Sequence, residues 1–180
     1  MTGPDPDPRD LDLREAGTSE FTTEALAAQV IRAAVRRGLS LGTAESLTGG
    51  ALAAALVSAP GASAAFEGAV VSYSHAVKTR VLGVDAGLLE RTGAVDPDVA
   101  EAMADGARTA LGVDLAVSTT GVAGPEPHDG QPVGTVHLGL AGPDGVRRAR
   151  LQLSGDREQI RSRTVRAALL ALMGVLEHSQ

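Results

Sequence analysis

Lys78 is the only lysine in the chain, and the other 15 cationic side chains are arginine. Tyr73, five residues earlier, is the only tyrosine. Arginine holds its proton at any usable pH, whereas a lysine taken out of water can release it and serve as a base. A lone lysine beside a lone phenol in Tyr73-Ser74-His75-Ala76-Val77-Lys78 therefore points to proton transfer. A second stretch, Ala44-Glu45-Ser46-Leu47-Thr48-Gly49-Gly50, offers Ser46 as a hydroxyl nucleophile. Its glycine turn offers backbone N–H groups suited to an oxyanion or a phosphate. The competing reading makes Tyr73 and Lys78 ordinary surface residues and Ser46 or Thr48 only a helix cap. The turn is not the G-x-S-x-G elbow of hydrolases.

These residues must be held by the elements around them. Thr22-Thr23-Glu24 opens a helix with apolar positions at Leu26, Val30, Ile31, Ala34 and Val35, and Gly38 closes it. Residues 39–44 read as a strand, followed by the glycine turn and an alanine-rich helix to about Val57. A strand, turn and helix in that order set side chains at the carboxyl edge of a sheet, where ligands of α/β folds bind. Residues 68–73 read as a buried strand, with Tyr73 at its end. Ser74 or His75 then starts a short helix on which Lys78 points back toward the strand end. Asp96-Pro97-Asp98 opens another helix, whose carboxylates Asp98, Glu101 and Asp105 read as a solvated face. Residues 113–120 form a strand that leads into a second glycine turn, Thr120-Gly121-Val122-Ala123-Gly124-Pro125. Residues 125–132 form a polar rim or lid with three prolines. Residues 133–140 and 146–153 flank the turn Gly142-Pro143-Asp144-Gly145 as a hairpin, so the sheet must be mixed. His137, inside that hairpin, reads as structural. Ser154-Gly155-Asp156-Arg157 caps a last helix to about Leu176. Its arginines read mostly as a solvated face, with one or two able to reach a phosphate.

Composition narrows the function classes. At 180 residues one domain is expected. The chain has no cysteine, which excludes disulfides, thiolate nucleophiles and cysteine-ligated metals. The net charge is −6, of which residues 1–20 carry −4 through six acids and two arginines. No part has the basic surplus of a nucleic-acid binder, and no apolar run has the length of a membrane span. The expectation is a cytoplasmic protein. Residues 1–20, acidic and proline-rich, read as a disordered tail preceding a domain over 21–178.

Taken together, the motifs resemble the CinA C-terminal domain family, whose stand-alone members include the nicotinamide mononucleotide amidohydrolase PncC. The resemblance rests on residues 43–50, Pro60-Gly61-Ala62-Ser63, residues 71–78, Leu82-Gly83-Val84, Gly93-Ala94-Val95, residues 120–125, Pro132-Val133-Gly134-Thr135-Val136 and Gly155-Asp156-Arg157. It spans about residues 22–177 in order. It implies an α/β domain of three-layer type, with a mixed, mostly parallel sheet, a C-terminal β-hairpin and flanking helices. It implies hydrolysis of the carboxamide of nicotinamide mononucleotide to nicotinate mononucleotide and ammonia, with neither metal nor cofactor. Carried onto this chain, Ser46 is the nucleophile, Lys78 its general base, and Tyr73 the group that orients or relays the proton. Glu45, Thr48, Gly49, Gly50, Gly121, Gly124 and Arg157 are the substrate-binding candidates. The partners implied are a small nucleotide and further copies of the same chain, with no nucleic acid and no membrane.

Two departures from the family pattern stand out. Leu47 occupies a position where many members have cysteine. The loop Glu126-Pro127-His128-Asp129-Gly130-Gln131 replaces a Gly-Gly-Thr stretch and a lysine. The larger members also carry an N-terminal domain similar to molybdopterin-binding proteins, which this sequence does not show. Two other readings compete with the enzyme. One is a catalytically silent binding module linked to competence or DNA damage. The other is a Ser–His hydrolase using His75 or His128, for which no carboxylate partner is specified.

Overall fold

The computed structural model describes residues 9–11 and 21–178. Five strands and six α-helices follow in the order α1 (Thr23–Arg37), β1 (Leu41–Glu45), α2 (Ala51–Val57), β2 (Phe66–Val71), α3 (His75–Leu82), α4 (Ala86–Thr92), α5 (Pro97–Leu111), β3 (Leu115–Gly121), β4 (Thr135–Gly142), β5 (Gly145–Gln152) and α6 (Arg157–His178). The sheet order is β2-β1-β3-β4-β5. β1 lies parallel to both β2 and β3, while β3–β4 and β4–β5 are antiparallel. The parallel half thus holds the three strand ends that carry the chemistry.

Alternation along the strands divides the core into two layers. Leu41, Leu115, Val117, Leu138 and Leu140 pack with α1, α2 and α6. Ala44 and Ala116 face the opposite layer, with Leu82, Val99 and Met103 of α3 and α5. Helices therefore cover both faces, the three-layer arrangement expected. The small side chains of the second layer allow unusually close approach. A Cβ on Gly106 of α5 would lie 1.9 Å from the Leu82 carbonyl oxygen. This glycine lets the end of α3 settle against α5, and α3 carries Lys78.

Local signals place the helix ends. Thr22, Ser74, Asp85 and Asp96 each accept a backbone N–H at a helix start. Several expectations need correction. Val35 is 44 % exposed, and Ala27 and Ala33 are buried in the α1 face instead. β2 is an edge strand, pairing with β1 alone among the described residues, and its residues alternate between half-buried and exposed. Asp98 and Glu101 are not simply solvated: Arg148 of β5 pairs with both. Three residues of the stretch read as a disordered tail lie along β5. Leu11 N–H donates to Arg148 O, and Arg148 N–H to Arg9 O. The rest of that stretch lies outside the described residues.

Candidate active site

The carboxyl ends of β1, β2 and β3 converge on Ser46, which immediately follows β1. Its N–H donates to Thr119 O of β3 at 2.9 Å. Lys78 reaches it from α3: Nζ lies 3.1 Å from Ser46 Oγ and 2.6 Å from Ser72 O. Lys78 is completely buried and Ser46 nearly so. Removal from water penalises the ammonium and lowers the Lys78 pKa to about 8, against a smaller opposing pull from Asp129. A buried amine with a depressed pKa, in contact with a hydroxyl, is the arrangement that activates a serine.

The rest of the first glycine turn serves as a mount. Glu45 is fully buried, and its carboxylate accepts the N–H groups of Gly50, Leu52 and Ala53 at 2.9, 3.1 and 2.8 Å. These are the otherwise orphaned donors at the start of α2, whose N-cap, Gly50, has no side chain to supply an acceptor. The carboxylate also favours the positive end of the helix. Glu45 therefore holds α2 and does not face the cavity, contrary to its expected binding role. Thr48 is likewise buried, its hydroxyl 2.8 Å from that of Thr119. Gly49 N–H donates to Ser46 O, so neither Gly49 nor Gly50 offers a free donor. The N–H groups of Leu47 and Thr48 have no partner among the described residues.

Arg161, which the sequence placed only among the basic residues of the last helix, fixes this peptide run. Its Nε donates to Leu47 O at 3.0 Å and its Nη2 to Thr48 O at 2.9 Å. The carbonyls are drawn toward α6, and a trans peptide then turns the Thr48 N–H the opposite way. The signal was the spacing Arg157–Arg161, one helical turn on one face. All four arginines of the helix are engaged, not left as a solvated face: besides Arg161, Arg157 donates to Gly124 O, Arg163 to Ser154 O and Arg166 to Phe21 O.

A cavity of about 430 Å³ opens over Ser46, within the range of small-molecule sites. Its walls include Leu47, Tyr73, Ala94, the second glycine turn from Thr120 to Pro125, Glu126, His128 and Arg157. Gly121, Gly124 and Arg157 all line this cavity, with Arg157 Nη1 2.9 Å from Gly124 O. The N–H groups of Ala123 and Gly124 have no partner among the described residues. Tyr73 is 66 % exposed at the rim and has no hydrogen bond to Ser46 or Lys78, so the relay read from the sequence is not formed. His75 and His128 also line the cavity, but the titratable group touching Ser46 is Lys78. Among the described residues no cluster of three or more His, Asp or Glu could hold a metal, and no helix is long and apolar enough to cross a membrane.

Known proteins share this architecture and sequence. A CinA-like protein of Frankia casuarinae is 49 % identical over 154 residues, covering 86 % of this chain and 36 % of that protein. A CinA-like protein of Mycolicibacterium vanbaalenii is 46 % identical over 171 residues, covering 93 % and 39 %. The chain thus spans between a third and two-fifths of these relatives. The crystal structure of a competence-damaged protein (CinA) superfamily protein from Klebsiella pneumoniae superposes with a TM-score of 0.85 at 38 % identity, covering 88 % of this chain and 100 % of that one. One from Escherichia coli gives 0.84 at 31 %, covering 92 % and 99 %. The profile of the CinA C-terminal domain matches residues 23–176, and the chain belongs to that family.

Proposed function

We propose that this protein hydrolyses the carboxamide of nicotinamide mononucleotide to nicotinate mononucleotide and ammonia. The observation that carries the reading is the buried Lys78 amine 3.1 Å from Ser46 Oγ. Ser46 Oγ attacks the amide carbon and passes its proton to neutral Lys78. The oxyanion forms beside the N–H groups of Leu47 and Thr48, the latter oriented by Arg161 through the Leu47 carbonyl. The Lys78 ammonium then returns the proton to the leaving nitrogen, and ammonia departs. Water, deprotonated by Lys78, attacks the acyl-serine, and the Lys78 ammonium returns that proton to Ser46 Oγ as the carboxylic acid leaves.

The cavity's charge distribution supports a zwitterionic nucleotide. Arg157 and the N–H groups of Ala123 and Gly124 suit a phosphate. Tyr73 and Glu126 suit a cationic pyridinium ring, through the face of the phenol and the carboxylate charge. The reaction as written needs neither metal nor cofactor, and it belongs to pyridine-nucleotide recycling in the cytoplasm. Further copies of the chain are its proposed protein partners.

The test is ammonia release from nicotinamide mononucleotide by the purified protein, with and without a chelator, beside Ser46→Ala. Release that survives the chelator and vanishes in the variant is the expected result. A folded protein that binds the nucleotide without releasing ammonia would overturn the hydrolase in favour of a silent binding module.

A further inference from the structure

Loop 126–131, where the sequence departs most from its family's pattern, forms a small closed hairpin. His128 and Gln131 exchange both backbone hydrogen bonds, at 3.1 and 2.9 Å. Asp129 at φ 50 and Gly130 at φ 71 make the turn, both in the left-handed region that a two-residue hairpin turn requires. The Asp129 side chain then leaves the loop and crosses to the segment after α4. Its Oδ2 accepts the Ala94 N–H at 2.6 Å, and Oδ1 lies 3.5 Å from His128 Nε2. The fit is close, since a Cβ on Gly93 would lie 2.5 Å from this carboxyl group. Ala94 on one side and Glu126 to His128 on the other are walls of the cavity over Ser46. One hydrogen bond therefore joins two walls of the site.

We propose that Asp129 is a positioning residue: its carboxylate latches loop 126–131 to Gly93–Ala94 and so closes the cavity over Ser46 and Lys78. The inference rests on the hydrolase reading above and adds an element that sets which amides reach the pair. Asp129 is also the charge that acts on Lys78, where it favours the ammonium. The groups in direct contact with Lys78 Nζ, Ser46 Oγ and Ser72 O, are neutral, and His75, Glu126 and His128 stand on the cavity wall.

The single lysine makes a test that needs no substrate. Acylation of Lys78 by acetic anhydride, followed against pH by peptide mass spectrometry, reads both access to the cavity and the amine's titration. Asp129→Asn keeps an oxygen for the Ala94 N–H and removes the charge, whereas Asp129→Ala removes both. At pH well above 8, acylation of Asp129→Ala is expected to be about tenfold faster than wild type, and that of Asp129→Asn within about twofold. The titration midpoint should fall in both, because the carboxylate no longer favours the ammonium. Asp129→Gly, which removes the carboxylate and adopts φ 50 without strain, should also speed acylation and decides the matter if Asp129→Ala does not fold. Equal rates in wild type, Asp129→Ala and Asp129→Gly would overturn the latch, as would Asp129→Asn behaving like Asp129→Ala. Ammonia release by the wild type with unchanged acylation rates sinks the latch and keeps the hydrolase. The expected acylation pattern without ammonia release keeps the latch and sinks the hydrolase.

Discussion

Two glycine turns close adjacent strands of the same sheet, yet their backbones are used in opposite ways. After β1, the turn at 46–50 is tied from behind. Glu45 takes three N–H groups of α2 and its approach, and Arg161 takes the carbonyls of Leu47 and Thr48. After β3, the turn at 121–125 is tied through the Gly121–Val136 ladder pair, through Gly124 O to Arg157 and through the Val122 backbone to Gly134 and Thr135. It leaves the N–H groups of Ala123 and Gly124, two residues of the cavity wall, without a partner among the described residues. On the proposed function, the first turn is a mount for one oxygen and the second a surface for the substrate. A buried carboxylate makes the difference, because it consumes the donors that a glycine turn would otherwise offer a ligand.

If the first turn is the catalytic mount, removing what it presents should have the largest effect. Ser46→Ala and Lys78→Arg should each lower kcat for ammonia release by at least about 10³-fold with the fold intact by circular dichroism. Lys78→Arg keeps the charge and removes the base, so near-full activity in it would overturn the pair. Next comes the mount itself. Glu45→Ala strips a charged acceptor from three N–H groups and should cost about 3 kcal/mol in urea unfolding. Loss of activity without loss of stability would instead return Glu45 to the cavity.

Smaller effects should separate positioning from binding. Arg161→Met loosens the Leu47–Thr48 peptide and should lower kcat about tenfold with little change in KM. Arg157→Gln, at the second turn, should do the reverse and raise KM about tenfold while kcat holds. If both variants change the same parameter, the division between mount and binding surface fails.

The gentlest test is pH. With the Lys78 pKa lowered to about 8, kcat/KM should rise with pH through that value as the neutral amine forms. Stability follows the same group. Between about 8 and 10.5 the unfolded chain binds the proton and the folded chain does not, so the stability contributed by this residue rises with pH across that window. At about 1.4 kcal/mol per pH unit the burial costs about 3 kcal/mol below pH 8, and Lys78→Met should abolish that slope in pH-dependent unfolding.

Much of this protein is determined by sequence alone. Helix starts at Thr22, Ser74 and Asp96 are local chemistry, and the structure caps them where the sequence places them. The odd lysine singled out its own chemistry, because a chain that otherwise uses arginine keeps one titratable amine. What the sequence could not decide is which way a side chain turns once strands pair. Glu45 and Ser46 are neighbours in one motif, but Glu45 is the last residue of β1 and Ser46 the first of the turn, so the chain changes direction between them. Glu45 consequently goes under α2 and Ser46 goes to the cavity. Tyr73 lies five residues from Lys78, yet the end of β2 leaves it at the rim while α3 folds Lys78 inward. Arg161 and Asp129 matter through contacts more than 30 residues away, with Leu47 and Ala94, and only tertiary packing brings such residues together.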